Sequence, residues 1–413
     1  MTEDVVAAVA EAHRRDWSRV LACAAQVTRD LDLAEECTQD AYEQALHTWA
    51  RDGVPDRPGA WLTSVARNRA LDLRRREERF RRRMPLLVAE DPAPGPEDGL
   101  DDDRLRLIFT CCHPALSGEA RIALTLRLVC GLSTAEVARA FLVSEPTMAA
   151  RITRAKKKIA TARIPYRVPA ADDLAERVGA VLDVVHLIFT TGHTAPAGPR
   201  LIRRDLVDSA IDLARTLHLL MPTDAAVSGL LALLLLIDAR SGSRVSADGR
   251  MLLLPEQDRT RWDGGLIAEG VALLTDALRR RPPTRYAVEA AIAAVHAEAA
   301  TWADTDWAEI AALYDVLRGL WPSPVVELNR AVAIGLRDGP AAGLDALAPL
   351  LDDPALATYG YLSAARADFL RRLGRWDEAI DAYEEALALT DSEKERSFLL
   401  GRLADTRESR SRP

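Results

Sequence analysis

The chain has 413 residues, more than one compact core usually holds, and at about 100 to 200 residues per domain this length suggests three packed units. Apolar residues make up 48% of the chain and aromatic residues only 5%, a balance typical of helices with Ala and Leu stripes, so we predict an all-α protein. The first residues lack the pattern of a signal peptide, and the longest apolar run, residues 230–237, is far shorter than the roughly 20 residues that cross a bilayer. These features predict a cytoplasmic protein in which residues 230–237 belong to a buried core helix.

Charge is unevenly distributed along the chain, although the net charge is only -8. Residues 67–83 hold nine arginines against three acidic residues, and residues 104–168 hold twelve basic residues against three acidic ones. Between them, residues 84–103 carry seven acidic residues and no basic one, with prolines and glycines that break helices. The part after residue 168 has a net charge of -10, which argues against nucleic-acid binding there. Two basic modules on an acidic tether are typical of a protein that binds DNA at two places; the alternative is two solvated helix faces.

A helix-turn-helix is predicted by CGLSTAEVARAFLVSEPTMAARITRAKKKIA, residues 130–160. Ser133 and Glu136 have the spacing of a capping box, and Ser144 is suited to cap the second helix after a short turn. Apolar residues recur at helical spacing along the second helix and predict its buried stripe: Met148, Ile152, Ala155 and Ile159. A polar row of the same helix is placed to enter a major groove: Thr147, Arg151, Arg154 and Lys158. The alternative is an amphipathic helical hairpin with a solvated basic face.

The N-terminal module contains two further helical patterns. In LDLAEECTQDAYEQALHTW, residues 31–49, an apolar stripe leaves an acidic outer face: Glu35, Glu36, Gln39, Asp40 and Glu43. In WLTSVARNRALDLRRR, residues 61–76, the polar side chains of a basic helix share one row: Ser64, Asn68, Asp72 and Arg75. The loop at residues 51–60 that precedes this helix is interpreted as a place where an unstacked base could be held.

These motifs, in this order and spacing, resemble sigma-70 family RNA polymerase sigma factors of the extracytoplasmic-function (ECF) type. LAEECTQDAYEQAL and AWLTSVARNRALDLRRR are similar to regions 2.2 to 2.4, and GLSTAEVARAFLVSEPTMAARITRAKKKI is similar to region 4.2. The resemblance covers residues 1–168. It implies a non-catalytic subunit whose partners are core RNA polymerase and promoter DNA, with no membrane partner.

The resemblance also implies roles for individual residues. The polymerase-docking residues would be Glu36, Gln39 and Asp40. The residues near the melted -10 element would be Asn68, Asp72 and Arg75. The residues near -35 DNA would be Thr147, Arg151, Arg154 and Lys158. The acidic linker would thread the polymerase near its RNA exit path.

Beyond residue 168 the sequence predicts successive helices. YLSAARADFLRRLG followed by RWDEAIDAYEEALAL resembles a tetratricopeptide repeat, with small residues where two helices meet, and residues 325–351 look like a degenerate second unit. The whole arrangement resembles a sigma-factor subgroup with a tetratricopeptide extension and no dedicated membrane anti-sigma partner. Such an extension would regulate the DNA-binding modules by inhibiting them or by being required for their activity; we favour the second interpretation.

One segment of the extension, LLLPEQDRTRWDGGLIAEG, stands out because charged residues and a tryptophan crowd a loop before a helix. Two interpretations stay open for Arg259, Trp262 and Asp263: a regulatory contact between domains, or a capped helix start anchored by Trp262. The predicted segments are region 2 (1–83), linker (84–103), region 4 (104–168), an intermediate helical domain (169–320) and tetratricopeptide-like repeats (321–413).

No catalytic residues are predicted, because phosphate-binding glycine loops and nucleophile or zinc-protease motifs are absent from the sequence. Cys111, Cys112, His113 and Cys130 offer zinc-binding side chains, but adjacent cysteines in an apolar helix favour packing, so we expect no metal and no cofactor. Two other classes stay open: a repressor with a sensory domain and a peptide-binding adaptor.

Overall fold

The computed structural model describes residues 3–83, 103–141, 143–193, 203–244, 246, 252–280, 282–390 and 393–411. These residues form α-helices and short helical turns, with no β-strand among them, which confirms the predicted all-α class. The chain divides into two compact units, Met1–Leu187 and Ile188–Pro413.

The first unit begins with a three-helix module. Its helices are α1 (Glu3–Thr28), α2 (Leu31–Asp52) and α3 (Pro58–Arg83), and all three pack against one another. Asp30 caps α2 by accepting hydrogen bonds from the backbone of Asp32 and Leu33. The edge-on rings of Trp49 and Trp61, with centroids 5.6 Å apart, join α2 to α3.

The second module of this unit contains the predicted helix-turn-helix. Its elements are α4 (Asp103–Cys111), α5 (Gly118–Leu124), a π-helical turn (Thr125–Val129), α6 (Thr134–Ala140) and α7 (Glu145–Thr161). Ser133 and Glu136 form the predicted capping box on α6, and Ser144 caps α7 with Pro146 in its first turn. Both caps are confirmed. Helix α8 (Ala171–His193) follows, and Arg177 donates to the carbonyl of Phe109 near the end of α4 (2.7 Å).

The second unit is a succession of helices. Its α-helices are α9 (Arg204–Leu220), α10 (Ala225–Asp238), α11 (Gly264–Arg279), α12 (Arg285–Glu298), α13 (Trp307–Leu320), α14 (Pro324–Arg337), α15 (Pro340–Leu347), α16 (Gly360–Arg372), α17 (Trp376–Leu389) and α18 (Glu393–Ser411). The segment Ala225–Ser243 has the length and apolar composition of a membrane-spanning helix. However, α10 is packed between α9, α11 and α12, and residues 230–236 are buried. The prediction of a core helix at residues 230–237 is therefore confirmed.

Helices α14 to α18 pack as neighbours along the chain, α14 on α15, α16 on α17 and α17 on α18. Ala367 and Ala379 are fully buried where α16 meets α17, as expected for small residues that let two helices approach. The structure thus places helical pairs at both predicted repeats, while their assignment as tetratricopeptide repeats stays a prediction. The predicted linker falls outside the described residues except for Asp103, which begins α4.

Close packing of α14 on α15 depends on two glycines that face Phe369. A Cβ atom on Gly343 would lie 2.5 Å from the Phe369 ring and 2.8 Å from the Cα of Gly335, closer than atoms can pack. We expect Gly343→Ala to lower the free energy of unfolding by about 1–3 kcal/mol, because an overpacked core must shift. The matched control is Gly319→Ala in α13, where the added Cβ meets open space and should be neutral or stabilising. Thermal unfolding measures both; equal stability of the two variants would contradict the packing.

Two buried histidines predict that acid destabilises the second unit. Burial, followed by nearby arginines, lowers the pKa of His193 to about 2 and of His296 to about 4. In the unfolded chain both histidines take up a proton near pH 6.5, whereas in the folded unit they stay neutral at that pH. Above pH 6.5 the two histidines therefore do not disfavour folding, and the free energy of unfolding decreases as the pH drops from 6.5 towards 4. Each histidine can change the free energy of unfolding by at most about 1.4 kcal/mol per pH unit.

We expect the full chain to unfold at a lower temperature at pH 5.5 than at pH 7.5. His296→Gln should reduce this difference in unfolding temperature. His47→Gln, an exposed control, should leave it unchanged.

Candidate nucleic-acid and polymerase interface

Helix α7 presents the polar row that the sequence predicts. Its apolar stripe is buried as expected: Met148, Ile152, Ala155 and Ile159. Thr147, Arg154 and Lys158 are exposed along a row that lies about a quarter turn around the helix from this stripe. Arg151, in contrast, is half-buried: its guanidinium pairs with Glu119 (3.0 Å) and lies 5.4 Å from the Phe141 ring centroid. Three members of the row are therefore accessible to a ligand, while the fourth is held against its own module.

Helix α3 carries the second predicted row. Asn68, Asp72 and Arg75 are exposed and succeed one another at spacings of four and three, so they share one face. Asp72 and Arg75 approach to 3.6 Å, too far for a strong pair at an exposed site. This face thus offers solvent-accessible polar groups beside the arginines of the C-terminal half of α3.

Helix α2 carries the predicted polymerase-docking residues. Glu36 and Gln39 are exposed. Asp40 is partly covered, because Arg69 of α3 donates to its carboxylate at 2.9 Å. This bond joins α2 to α3.

Glu35 departs from the sequence prediction of an outer acidic face. The residue is 8% exposed, although its helical position puts it beside Glu36. Its carboxylate pairs with Arg127 (2.7 Å) and with Lys156 of α7, and Lys156 also bonds Asp32 at 2.7 Å. Burial works against the charge of Lys156, but Glu35 and Asp32 outweigh it and raise the pKa of this amine. The reason for the wrong prediction is that the second module covers this flank of α2.

Helix α1 makes a further set of contacts between the modules. The indole of Trp17 donates to the carbonyl of Leu128 (3.1 Å), and the phenol of Tyr166 donates to the carbonyl of Ala22 (3.1 Å). Gly131 has a φ of 74°, and a Cβ there would lie 2.9 Å from the Trp17 ring. Gly131 thus ends a helical turn and also makes room for a side chain of the other module. Local sequence patterns signal the turn at Gly131, but not its neighbour Trp17.

In the second unit, Arg259, Trp262 and Asp263 make their described bonds within that unit. Arg259 donates to the carbonyls of His296 and Ala299 at the end of α12, and its guanidinium lies 4.8 Å from the Trp262 ring centroid. Trp262 is buried and donates to Ser243 (2.8 Å), while Asp263 caps α11. These contacts fit the interpretation of an anchored helix start, and a regulatory interdomain role stays a prediction.

Two cysteines of the alternative zinc site are packed in the protein interior. Cys111 and Cys112 are buried in α4, and Cys112 lies 3.4 Å from the hydroxyl of Thr125. Burial raises the pKa of the Cys112 thiol to about 11, which disfavours the thiolate that zinc binds. Among the described residues no cluster of three or more His, Cys, Asp or Glu side chains has the arrangement of a metal site.

Comparison with protein families identifies both modules of the first unit. Residues 13–80 match Sigma-70 region 2, residues 106–159 match Sigma-70 region 4, and residues 177–278 match a family of unknown function, DUF6596. The two sigma matches coincide with α1–α3 and with the helix-turn-helix module. The three-helix module and the capped helix-turn-helix thus correspond to the two regions of a sigma factor.

Two proteins with similar sequences show how much of the chain has relatives. "Uncharacterized protein R00370" of Rhizobium meliloti (strain 1021) is 45% identical over 379 residues, covering 90% of this chain and 89% of that protein. "ECF RNA polymerase sigma factor SigK" of Mycobacterium sp. (strain KMS) is 31% identical over 161 residues, covering 37% of this chain and 81% of that protein. The chain belongs to the sigma-70 family of RNA polymerase sigma factors, which are non-catalytic specificity subunits. Within it, the chain is similar to the ECF type and carries a helical extension with the DUF6596 match.

Gly131→Ala tests the contact at Trp17. We expect this variant to lose about 1–3 kcal/mol of stability, because alanine is strained at this φ and its Cβ would collide with the indole. Gly118→Ala, at the start of α5, adds a Cβ to open space and serves as the control. Chemical denaturation of the full chain measures both changes. The contact would be contradicted if Gly131→Ala unfolded at the same denaturant concentration as the wild type.

Proposed function

We propose that the chain is an ECF-type sigma factor that binds core RNA polymerase and directs it to a specific set of promoters. The observation that carries this proposal is the exposure of two polar rows, on α3 and α7, within one sigma-type unit. Promoter recognition requires two such surfaces because a sigma factor contacts DNA at two separated elements. We place its activity in the cytoplasm, where the polymerase and the chromosome are found.

The -35 element is assigned to α7. Thr147, near the N-terminus of the helix, and Arg154 and Lys158 along the same row are free to approach bases and phosphates. Arg151 belongs to the same row, but its pairing with Glu119 and its position near Phe141 favour an orienting role, or a phosphate contact after it exchanges partners. Arg154 and Lys158 should therefore contribute more to affinity.

The -10 element is assigned to α3, and polymerase docking to α2. Asn68, Asp72 and Arg75 offer hydrogen-bonding groups that can bind unpaired bases, which present all their edges once the duplex opens. Glu36, Gln39 and Asp40 form the acidic surface proposed to dock on the polymerase. The bond between Asp40 and Arg69 supports a shared role, since docking through α2 would then position α3 at the DNA.

The helical extension is proposed to regulate these activities from within the same chain. Its paired helices are of the kind that present a surface for a peptide or a neighbouring domain. We favour an extension that is required for productive promoter binding over one that inhibits it.

Promoter-dependent transcription with purified core polymerase tests the proposal. We expect the full chain to support transcripts from a subset of a random promoter library. The Arg154→Ala/Lys158→Ala variant should lower that transcription at least about tenfold, because each phosphate or base contact is worth on the order of 1 kcal/mol or more.

The control is Arg261→Ala, which removes an exposed arginine of the second unit and should leave transcription unchanged. A chain that binds duplex DNA alone but never core polymerase would instead be a repressor. A chain that binds neither would favour an adaptor.

A further inference from the structure

Three arginines of the second unit carry their charge without a carboxylate partner. Arg240, Arg244 and Arg259 are half-buried, and among the described residues none of the three forms an ion pair. By contrast, the half-buried Arg330 of the same unit pairs with Asp315 at 2.7 Å. A charge that is shielded from water is costly unless it is paired. The stability of the unit therefore does not explain why these three arginines lie together.

Arg240 lies at the centre of this group. Burial, followed by Arg244 and then by Arg259, lowers the pKa of Arg240 to about 10. Its guanidinium thus stays charged at neutral pH. In the part of the chain that the structure describes, no side-chain nitrogen of Arg240 forms a hydrogen bond. An arginine has five N–H donors, so all five of Arg240 can bind a ligand.

Backbone carbonyls hold Arg244 and Arg259 in place. The Nη1 of Arg244 donates to the carbonyl of His193 at the end of α8 (2.6 Å). The Nη1 of Arg259 donates to the carbonyls of His296 and Ala299 at the end of α12 (2.7 and 2.6 Å). Carbonyls at a helix end attract a cation, but they carry only a partial charge and do not neutralise it. Both guanidiniums are therefore oriented and still positively charged.

Hydrogen bonds join the segments that bear Arg240 and Arg259. The indole of Trp262 donates to the hydroxyl of Ser243 (2.8 Å), and this hydroxyl donates to the carbonyl of Arg240 (2.9 Å). The guanidinium of Arg259 lies 4.8 Å from the ring centroid of Trp262. The turn after α10 and the turn before α11 are thus fixed to each other, and the arginines belong to one assembly.

The other polar neighbours of Arg240 carry no negative charge at neutral pH. Burial, followed by nearby arginines that include Arg240, lowers the pKa of His193 to about 2 and of His296 to about 4, so both rings are neutral. Burial, followed by Glu289, raises the pKa of Tyr314 to about 12, so its hydroxyl keeps its proton. These side chains do not compensate the charge of Arg240.

Two carboxylates affect the outer arginines of the group without pairing with them. Burial lowers the pKa of Arg259, and Asp304 only partly opposes this effect. Burial also lowers the pKa of Arg244, against the partial opposition of Tyr361 and Glu395. Neither carboxylate is among the groups that shift the pKa of the central arginine. The centre of the group therefore keeps an uncompensated positive charge.

An oxyanion supplies the charge that this group lacks. Guanidinium groups match phosphate and carboxylate groups with pairs of parallel hydrogen bonds, and the attraction is stronger where water is excluded. The part of the chain after residue 168 has a net charge of -10, which repels a polyanion such as a nucleic acid and favours a small ligand. We propose that Arg240, Arg244 and Arg259 form an oxyanion site in the helical extension, which binds the phosphate or carboxylate group of a small molecule.

Calorimetric titration of the full chain with inorganic phosphate tests the oxyanion site. The titration is run at pH 7.5, with the ionic strength held constant by sodium chloride. Arg240→Met should weaken phosphate binding at least about tenfold, because it removes charge-assisted hydrogen bonds. Arg240→Lys keeps the charge but loses the planar fork, so it should bind with intermediate affinity. Arg330→Met, which removes a paired arginine elsewhere in the unit, should leave the affinity unchanged.

A parallel titration with acetate identifies the group that the site prefers. Tighter binding of phosphate than of acetate would assign the site to a phosphate group. Binding of acetate that is as tight or tighter would assign it to a carboxylate. The proposed oxyanion site is overturned if neither anion binds the wild-type chain.

Thermal unfolding distinguishes a ligand site from a structural arginine. In phosphate-free buffer, Arg240→Met should raise the unfolding temperature, because it removes an unpaired charge from a shielded position. Arg330→Met should lower the unfolding temperature or leave it unchanged, since it breaks the pair with Asp315. Added phosphate should stabilise the wild type and should not stabilise Arg240→Met.

Two further results would overturn the oxyanion site. If Arg240→Met binds phosphate as tightly as the wild type and unfolds at a lower temperature, Arg240 is a structural residue. If phosphate binding is retained in Arg240→Met but lost in the Arg154→Ala/Lys158→Ala variant, the phosphate binds to the polar row of α7 instead.

Discussion

The buried carboxylate of Glu35 is the constraint on which the arrangement of the first unit depends. A charge removed from water is costly unless it is paired, and Glu35 is paired by Arg127 and Lys156 from the other module. This requirement fixes the side of α7 that meets α2, and thereby leaves the row of Thr147, Arg154 and Lys158 exposed. One contact thus positions both the surface proposed to dock on polymerase and the row proposed to face DNA.

Local signals made the helix-turn-helix predictable from the sequence. The capping box of Ser133 and Glu136 and the cap at Ser144 act over three residues, so their outcome depends little on the rest of the fold. Glu35 was predicted wrongly because helical periodicity places it on a polar face. What buries it is Lys156, 121 residues away in sequence, and no local pattern reports such a contact.

In the second unit, too, local sequence patterns were predictive, whereas contacts between distant residues were not. The apolar run in α10 and the small residues between α16 and α17 predicted buried helices, since both patterns depend on composition and period. Arg259 and Trp262 carried no comparable signal: a crowded loop is equally compatible with a docking surface and with an internal anchor. Their bonds to the end of α12 and to Ser243 became visible only in three dimensions. The polar rows on α3 and α7 are exposed except for Arg151, which pairs with Glu119, and their DNA ligands stay a proposal.

The distance between α2 and α7 during initiation tests the account most directly. Fluorophores at Gln44 and Lys157, both exposed, would report it in the free chain and in a polymerase–promoter complex that is making transcripts. The account predicts high energy transfer in the free chain, where the modules touch, and a large loss of transfer on promoter binding. Unchanged high transfer in an actively transcribing complex would contradict it.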